Sequence, residues 1–211
     1  MSSTPLPPLD AVQVILARHG QTAWNVERRF LGRTDVPLDG LGRAQAARLG
    51  ERLRPLAPLP VYASPLLRAR ETAETVAPAV PVPDLAEMDM GELEGLSGPE
   101  CLARFPEVLA HWRADPSTTR IPGGETLAQL QARAVPAFRA LVAAHAPGER
   151  LLVVTHQLTL ATILCALAGR PLSDFRAWSH RNAALSVVHL RGADAEVVRL
   201  DDADHLEGLV G

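Results

Sequence analysis

Short apolar runs alternate along the chain with longer segments in which apolar residues recur every three or four positions. The runs are typical of buried strands, and the longer spacing is typical of helices with one buried face. The predicted strands are Val12–Ala17, Val61–Ala63, Leu151–Val154, Ala184–Leu190 and Glu196–Leu200. Because helical segments lie between the strands, we predict an α/β fold, a three-layer α/β/α sandwich with a mainly parallel central sheet.

Polar residues at the starts of the helical segments support these boundaries. Asp39 is a predicted N-cap, and Ser64-Pro65 supplies a cap followed by the proline that suits the first helical position. Thr126 and Gln129 have the spacing of a capping box. The apolar segment Leu158–Ala168 is predicted to form a further helix that follows the third strand directly.

Proline and glycine interrupt the periodicity in the middle of the chain. Pro78–Pro83 breaks the pattern. The loop region predicted beyond it is marked by Gly91, Gly95 and Gly98. Since we find no internal repeat and no linker, we expect a single domain over residues 1–211, with a loose lead-in at residues 1–10.

Composition narrows the class of protein. Hydrophobic residues make up 47% of the chain, enough for a full core, which excludes a disordered protein. The net charge is −3, and a chain so close to neutral lacks the basic excess of a nucleic-acid binder. All 21 basic residues are arginine, so lysine chemistry such as a Schiff base or a P-loop lysine is excluded. The two cysteines are too few for a disulfide framework.

One long segment without charge raises the question of a membrane span. Residues 151–169 contain no Asp, Glu, Lys or Arg. Thr155, His156 and Gln157 interrupt the segment, however, and it fits a buried strand followed by a helix better than a span. The first residues also lack the basic and then apolar pattern of a secretory signal. We therefore expect a cytoplasmic protein that has no membrane contact.

Three of the predicted strands end in residues suited to an anion. Arg18-His19-Gly20 follows the first strand, Ser64 and Arg68 follow the second, and Thr155-His156 follows the third. In open α/β sheets, ligands bind where the strands end and the chain turns into helices. Two histidines and two arginines at this edge would form a site for an anionic group. Glu87, after the proline-rich break, could add a carboxyl group nearby.

These residues, in this order, resemble the histidine phosphatase superfamily, the phosphoglycerate-mutase-like enzymes. The resemblance extends over residues 12–200, and several separate motifs carry it. The matching segments are residues 16–25, 32–38 and 64–69 with Thr72-Ala73, then Glu87, Gly91 and Glu94-Gly95, and finally residues 122–126 and 153–156. The resemblance implies the same α/β sandwich and a phosphoryl-transfer reaction.

The resemblance also implies roles for individual residues. His19 would be the nucleophile that accepts the phosphoryl group, and Arg18, Arg68 and His156 would bind the phosphoryl oxygens. Glu87 would protonate the departing alcohol and then activate water. Glu92 and Glu94, in the same loop, are rivals for this role. Further substrate contacts are expected from Gly20, Thr22, Asn25 and Gln157.

Other residues are expected to have ordinary structural roles. Ser64 could orient His19 or simply cap the helix, and we predict that it caps. The remaining histidines are interpreted as core or surface residues: His111, His145, His180, His189 and His205. Since the sequence contains neither HxH nor HExxH, we predict no metal, and we expect no cofactor.

The same family includes both phosphatases and cofactor-dependent mutases. The interval from Glu87 to His156 is short for a phosphoglycerate mutase and lacks the lysines of a second acidic-group clamp. Phe105-Pro106-Glu107 followed by residues 122–126 resembles the phosphatase branch. We therefore predict a metal-independent phosphomonoesterase acting on a small phosphorylated metabolite. The alternatives are a cofactor-dependent phosphoglycerate mutase and a non-catalytic phospho-ligand-binding member of the fold.

Substrate identity is less well defined. His156-Gln157 is similar to the alpha-ribazole phosphatases, while Leu31 stands where relatives often have a polar phosphate contact. Residues 86–125 are expected to form a cap that sets specificity. The acidic tail, residues 201–211, is expected to be mobile rather than folded over the site. The sequence leaves open whether the protein is a homodimer.

Overall fold

A computed structural model describes residues 10–209 of the chain. The strands are β1 Val12–Arg18, β2 Val61–Ala63, β3 Val80–Pro81, β4 Arg150–Thr155, β5 Leu185–Arg191 and β6 Asp194–Asp202. The helices are α1 Ala23–Val26, α2 Gly40–Leu53, α3 Leu67–Ala73, α4 Gly98–Arg104, α5 Pro106–Ala114, α6 Leu127–Ala143 and α7 Gln157–Leu167. Short 3₁₀ segments form at Arg54–Leu56, Pro83–Leu85, Gly91–Leu93, Leu172–Trp178 and Asp204–Leu206.

The strands form a mixed sheet in the order β3-β2-β4-β1-β5-β6. The first four in this order are mutually parallel, whereas β5 is antiparallel to both β1 and β6. In the pairing of β1 with β4, Arg18 stands opposite Thr155, and the His19 amide donates to the Thr155 carbonyl at 3.0 Å. The predicted mainly parallel sheet is confirmed, and its central register places His19 next to His156.

Helices cover both faces of the sheet. Val14 and Leu16 of β1 belong to one buried cluster with residues of α6 and α7. Ile15 and Ala17, which alternate with them, belong to a second cluster with residues of α2 and α3. Because apolar side chains are buried on both sides, the central strands consist mainly of apolar residues. The predicted three-layer arrangement is confirmed.

The structure corrects the prediction that Ser64 caps a helix. The N-cap of α3 is Leu66, and Pro65 lies outside the helix. The first amide of α3, at Leu67, donates instead to the Asp35 carboxylate at 2.6 Å. Since a residue distant in sequence satisfies the helix end, Ser64 keeps its hydroxyl for another partner.

Residues 86–125, the predicted cap, contain two helices that were not predicted from the sequence. Helix α4 begins with a capping box between Ser97 and Glu100, and Pro99 lies in its first turn. Helix α5 begins with Pro106. Both starts carry ordinary sequence signals, but each helix has fewer than ten residues and too little periodicity to be recognised. The two-residue strand β3 likewise lies within the proline-rich break.

At the two ends of the chain, the structure describes residue 10 and residues 201–209. The expected lead-in lies outside the described residues except for Asp10. The prediction of a mobile acidic tail is wrong for residues 201–209, which complete β6 and form a 3₁₀ turn. Arg52 of α2 pairs with Asp202 at 2.5 Å, and His205 Nε2 donates to the Ala183 carbonyl at 3.0 Å. These contacts hold the segment against the fold.

Within residues 10–209 no single helix has the length and apolar character needed to cross a membrane. Helix α7 and the segment Leu172–Trp178 reach that length only together, across a bend of 114°.

The first turn of α2 packs tightly against the loop that follows β1, which suggests a test of the fold. A Cβ on Gly42 would lie 2.0 Å from the Gln21 carbonyl oxygen. We expect Gly42→Ala to lower the free energy of unfolding by about 1–3 kcal/mol, because backbone would have to move. Gly40→Ala is the matched control, since its Cβ would meet nothing within 4 Å. Urea unfolding of both variants measures the difference, and equal stabilities would contradict this packing.

Candidate active site

His19 lies where β1 ends, and its ring is buried. Its Nδ1 is 2.7 Å from the Gly20 carbonyl oxygen. A carbonyl only accepts, so Nδ1 carries the proton and Nε2 is left with a lone pair. Burial, together with the positive charges of Arg68 and Arg18, holds the pKa of His19 well below its usual range. The ring is therefore neutral and nucleophilic at neutral pH.

The backbone around His19 is fixed from several directions. The Gly20 amide donates to Thr72 Oγ1 at 3.0 Å, and a Cβ on Gly20 would lie 2.4 Å from the Gly42 carbonyl oxygen. The His19 carbonyl accepts from the Ala183 amide and from Asn182 Nδ2, at 3.1 and 3.2 Å. Only glycine fits at position 20, because α2 passes so close to it.

His156 lies at the end of β4 and is the N-cap residue of α7. Its ring centroid is 5.1 Å from that of His19. Nε2 is 2.6 Å from Ser64 Oγ, whereas Nδ1 is buried and has no partner among the described residues. Burial, with the charge of Arg68, holds the pKa of His156 well below its usual range as well. Ser64 thus hydrogen-bonds to His156, does not cap α3 and makes no hydrogen bond to His19.

Arg18 and Arg68 bring positive charge to the two histidines. Arg18 Nη1 donates to the His180 carbonyl at 2.7 Å, and Arg68 donates to the carbonyls of Gly32 and Thr34 at 2.7 and 3.0 Å. Burial lowers the pKa of each guanidinium to about 10, so both stay charged at neutral pH. No carboxylate oxygen of the described residues lies within 4.0 Å of either group.

Buried donors without partners collect at this point. The Nε atoms of Arg18 and Arg68 and Nδ1 of His156 have no hydrogen-bond partner among residues 10–209. Buried polar groups in folded proteins are nearly always paired, so such a concentration indicates a ligand. Two fixed positive charges and neutral rings specify that the ligand is an anion with several acceptor oxygens, such as a phosphoryl group.

Glu87 lies beside these residues, with its carboxylate at the start of α7. Oε2 accepts from the Leu158 amide at 3.1 Å, and Oε1 accepts from the amide and hydroxyl of Thr159 at 3.2 and 3.1 Å. The rival carboxylates differ: Glu92 is exposed, and Glu94 accepts from the amides of Arg33 and Thr34. Of the three, Glu87 alone is buried against the helix that begins with His156.

Arg133 of α6 fixes the backbone that carries Glu87, and the sequence analysis did not identify it. Its Nη atoms donate to the carbonyls of Asp84, Ala86 and Glu87 at 2.8, 2.8 and 2.9 Å. The Glu125 carboxylate accepts two further bonds from Arg133, both at 2.8 Å. All five N–H donors are therefore satisfied. The only sequence signal was the position of Glu125 within the matched segment 122–126.

The side chains of the predicted substrate contacts Thr22, Asn25 and Gln157 form hydrogen bonds with other residues of the protein. Thr22 and Asn25 form the capping box of α1, and Asn25 Oδ1 also accepts from Asn182 Nδ2 at 3.2 Å. Gln157 Oε1 accepts from the His180 amide at 3.0 Å. These bonds brace the loop after β1 and the segment that holds Arg18.

An open cleft of about 890 Å³ reaches the site at Arg18. Gln21 and Asn182 line it, together with several residues of the segment 201–209. His19, Arg68, Glu87 and His156 are buried and do not line the cleft. The folded tail therefore forms part of the approach to Arg18.

Comparison with known proteins identifies the family of the chain that carries this site. The sequence profile of the histidine phosphatase superfamily (branch 1) matches residues 14–203. The chain belongs to this superfamily. The "Metal-independent phosphoserine phosphatase" of Arabidopsis thaliana is 33% identical over 208 residues, covering 95% of this chain and 85% of that protein. The "Probable phosphoglycerate mutase GpmB" of Salmonella paratyphi C is 35% identical over 184 residues, covering 83% of each chain.

Solved structures agree with this assignment. Bacillus stearothermophilus YhfR superposes with a TM-score of 0.87 at 33% identity, covering 93% of this chain and 100% of that chain. The predicted phosphoglycerate-mutase-like fold is thus confirmed for this histidine phosphatase. Relatives named as phosphatases also confirm the predicted enzyme class, a phosphoric monoester hydrolase.

The depressed histidine pKa values have a consequence for stability. Below about pH 6.5, His19 and His156 become protonated in the unfolded chain but stay neutral in the folded protein. Stability is therefore complete above that pH and falls as the pH is lowered, by up to about 1.4 kcal/mol per pH unit for each such histidine. Urea unfolding from about pH 7 to pH 5 measures this slope.

Substituting one buried histidine tests whether it contributes to this pH dependence of stability. We expect His19→Asn to make the slope shallower, because one of the protons bound on unfolding is removed. His111→Asn changes an exposed histidine and should leave the slope as it is. A wild-type stability that is constant or rises towards acid pH would contradict the neutral state of the buried rings.

Proposed function

We propose that this histidine phosphatase is a metal-independent phosphomonoesterase that hydrolyses small phosphorylated metabolites through a phosphohistidine on His19. The observation that carries the proposal is the set of buried, unpartnered donors of Arg18, Arg68 and His156 around a neutral imidazole. Such donors match the three non-bridging oxygens of a phosphoryl group. The name of the Arabidopsis relative supports a reaction without metal.

In the first step, Nε2 of His19 attacks phosphorus. A P–N bond forms while the bond from phosphorus to the ester oxygen breaks. Arg18, Arg68 and His156 stabilise the charge that spreads over the non-bridging oxygens, which is the larger share of the catalysis. Glu87 donates a proton to the departing alcohol oxygen.

In the second step, water attacks the phosphohistidine. The Glu87 carboxylate, now ionised, accepts a proton from this water, and the P–N bond breaks to restore the lone pair on Nε2. Inorganic phosphate is then held by the same donors until it is released. Because Nδ1 of His19 keeps its proton throughout and donates it to the Gly20 carbonyl, Nε2 is available as the nucleophile in each cycle.

A mutase remains the competing activity, since one of the relatives carries that name. A mutase has to hold the second acidic group of its substrate while the phosphoryl group returns. Here the segment between Glu87 and His156 contains no lysine. Arg133, in the same segment, uses all five of its N–H donors on protein acceptors, so it is not available to bind substrate. This arrangement favours water over a second substrate hydroxyl as the acceptor.

We also propose that residues 86–125 set substrate specificity within a single domain. Helices α4 and α5 contribute to an apolar cavity of about 490 Å³ lined by Met90, Leu109 and Trp112 among others. Phe30, which follows the loop after β1, lines the same cavity. Since Phe30 lies two residues before Gly32, whose carbonyl accepts from Arg68, the segment places an apolar surface beside the loop that holds Arg68.

The nucleophile is tested with p-nitrophenyl phosphate in the presence of EDTA. We expect wild-type enzyme to release phosphate under these conditions and His19→Ala to release none, because no other group can form the covalent intermediate. His111→Ala, at an exposed histidine, should keep wild-type activity. Wild-type enzyme that hydrolyses nothing, yet interconverts monophosphoglycerates when primed with a bisphosphate, would show the mutase to be correct.

The acid is tested by changing the leaving group. For Glu87→Gln we expect kcat/KM to fall by about 100-fold or more with an alkyl phosphate, whose alcohol needs a proton to depart. The decrease should be much smaller with p-nitrophenyl phosphate, because nitrophenolate leaves unassisted. Glu92→Gln is the control at a nearby exposed carboxylate. Equal decreases for both substrates would exclude Glu87 as the proton donor.

A further inference from the structure

Ser64 contacts His156 in a way that defines where the proton of the imidazole lies. The serine follows β2 and is fully buried, as is His156. Ser64 Oγ is 2.6 Å from His156 Nε2, and it also accepts from the Leu66 amide at 3.3 Å. Among residues 10–209 it has no other partner. A hydroxyl has one proton to donate, so the direction of each bond can be worked out.

If Nε2 carried the proton, it would donate to Ser64, whose own proton would then have no acceptor among the described residues. The other ring atom, Nδ1, would present a buried and unpaired lone pair. If Ser64 donates to Nε2, both serine bonds are satisfied and Nδ1 carries a proton. The second arrangement leaves only a donor unpaired, and it is the arrangement that a phosphoryl oxygen would complete.

A second serine–histidine pair in the fold shows the same arrangement independently. Ser186 Oγ is 2.6 Å from His180 Nε2, and His180 Nδ1 is 2.9 Å from the Trp178 carbonyl oxygen. The carbonyl can only accept, so Nδ1 carries the proton and the serine donates to Nε2. In His180 the fold supplies the acceptor, whereas in His156 that place is left for a ligand.

We propose that Ser64 is a positioning residue that holds neutral His156 with its proton on Nδ1, so that the ring donates to the phosphoryl group. The inference rests on the proposed function only for the identity of the ligand. A ring with the opposite proton placement would turn a lone pair towards an anion and repel it. Ser64 therefore determines whether His156 binds the phosphoryl group or opposes it.

Nitrogen NMR of the ligand-free enzyme near neutral pH tests the proton placement directly. We expect long-range ¹⁵N–¹H correlations to show Nδ1–H for both His156 and His180. Ser64→Ala should change the pattern of His156 alone, and Ser186→Ala should change that of His180 alone. Protonation of His156 at Nε2, or at both nitrogens, in the wild-type enzyme would overturn the proposal.

Binding and kinetics test the consequence. We expect Ser64→Ala to weaken binding of inorganic phosphate, and to lower kcat/KM, by about 10- to 100-fold, the range for a hydrogen bond to a charged group. Ser64→Thr keeps a hydroxyl and should restore most of both. A folded Ser64→Ala enzyme with wild-type phosphate affinity would overturn the proposal. If this variant does not fold, the wild-type spectrum and Ser64→Thr still decide.

This test is separate from that of the proposed function. Activity that survives in His19→Ala would refute the phosphohistidine but would leave the proton placement of His156 as the spectrum gives it. Conversely, an inactive His19→Ala enzyme whose His156 is protonated at Nε2 would support the proposed function and refute the role of Ser64.

Discussion

In the parallel pairing of β1 with β4, Arg18 lies opposite Thr155, so the next residue of each strand leaves the sheet side by side. Those residues are His19 and His156, and every other group of the site is arranged around them. A shift of the register by one residue would reverse the faces of Val14 and Leu16 as well as separating the histidines. The pairing is thus held by the same apolar burial that forms the core.

The second constraint is the placement of two guanidinium groups in the protein interior without a carboxylate bound to either. An uncompensated buried charge costs several kcal/mol, so the fold has to offset it elsewhere. Backbone carbonyls of His180, Gly32 and Thr34 supply part of the solvation. The two apolar clusters supply the remaining stability. Burial, with a smaller contribution from these positive charges, keeps the pKa values of His19 and His156 low, so the interior position that costs stability also keeps His19 neutral and reactive.

The sequence predicted the central strands and helices α2, α3, α6 and α7, because continuous apolar runs and regular apolar spacing do not depend on the details of packing. It also predicted His19, Arg18, Arg68 and His156 as neighbours, because parallel strands end at one edge. The contact between Ser64 and His156 could not be predicted from the sequence, because the two residues are 92 positions apart. Local capping preference predicted that Ser64 caps α3, whereas Asp35, from another loop, accepts the hydrogen bond from the first amide of that helix. The bonds of Arg133 to backbone carbonyls depend on geometry that no residue pattern records.

Helix α7 joins parts of the site that are usually considered separately. His156 is its N-cap residue, and its first turn presents two amides to the Glu87 carboxylate. Nearly all of its residues are buried, so it has no solvent-facing side on which to slide or bend. The His156 ring and the Glu87 carboxylate are therefore both positioned by the start of one buried helix. A methyl group added or removed at the far end of this helix, about 15 Å away, would tilt the whole helix. Such a tilt would shift both His156 and the amides that bind Glu87.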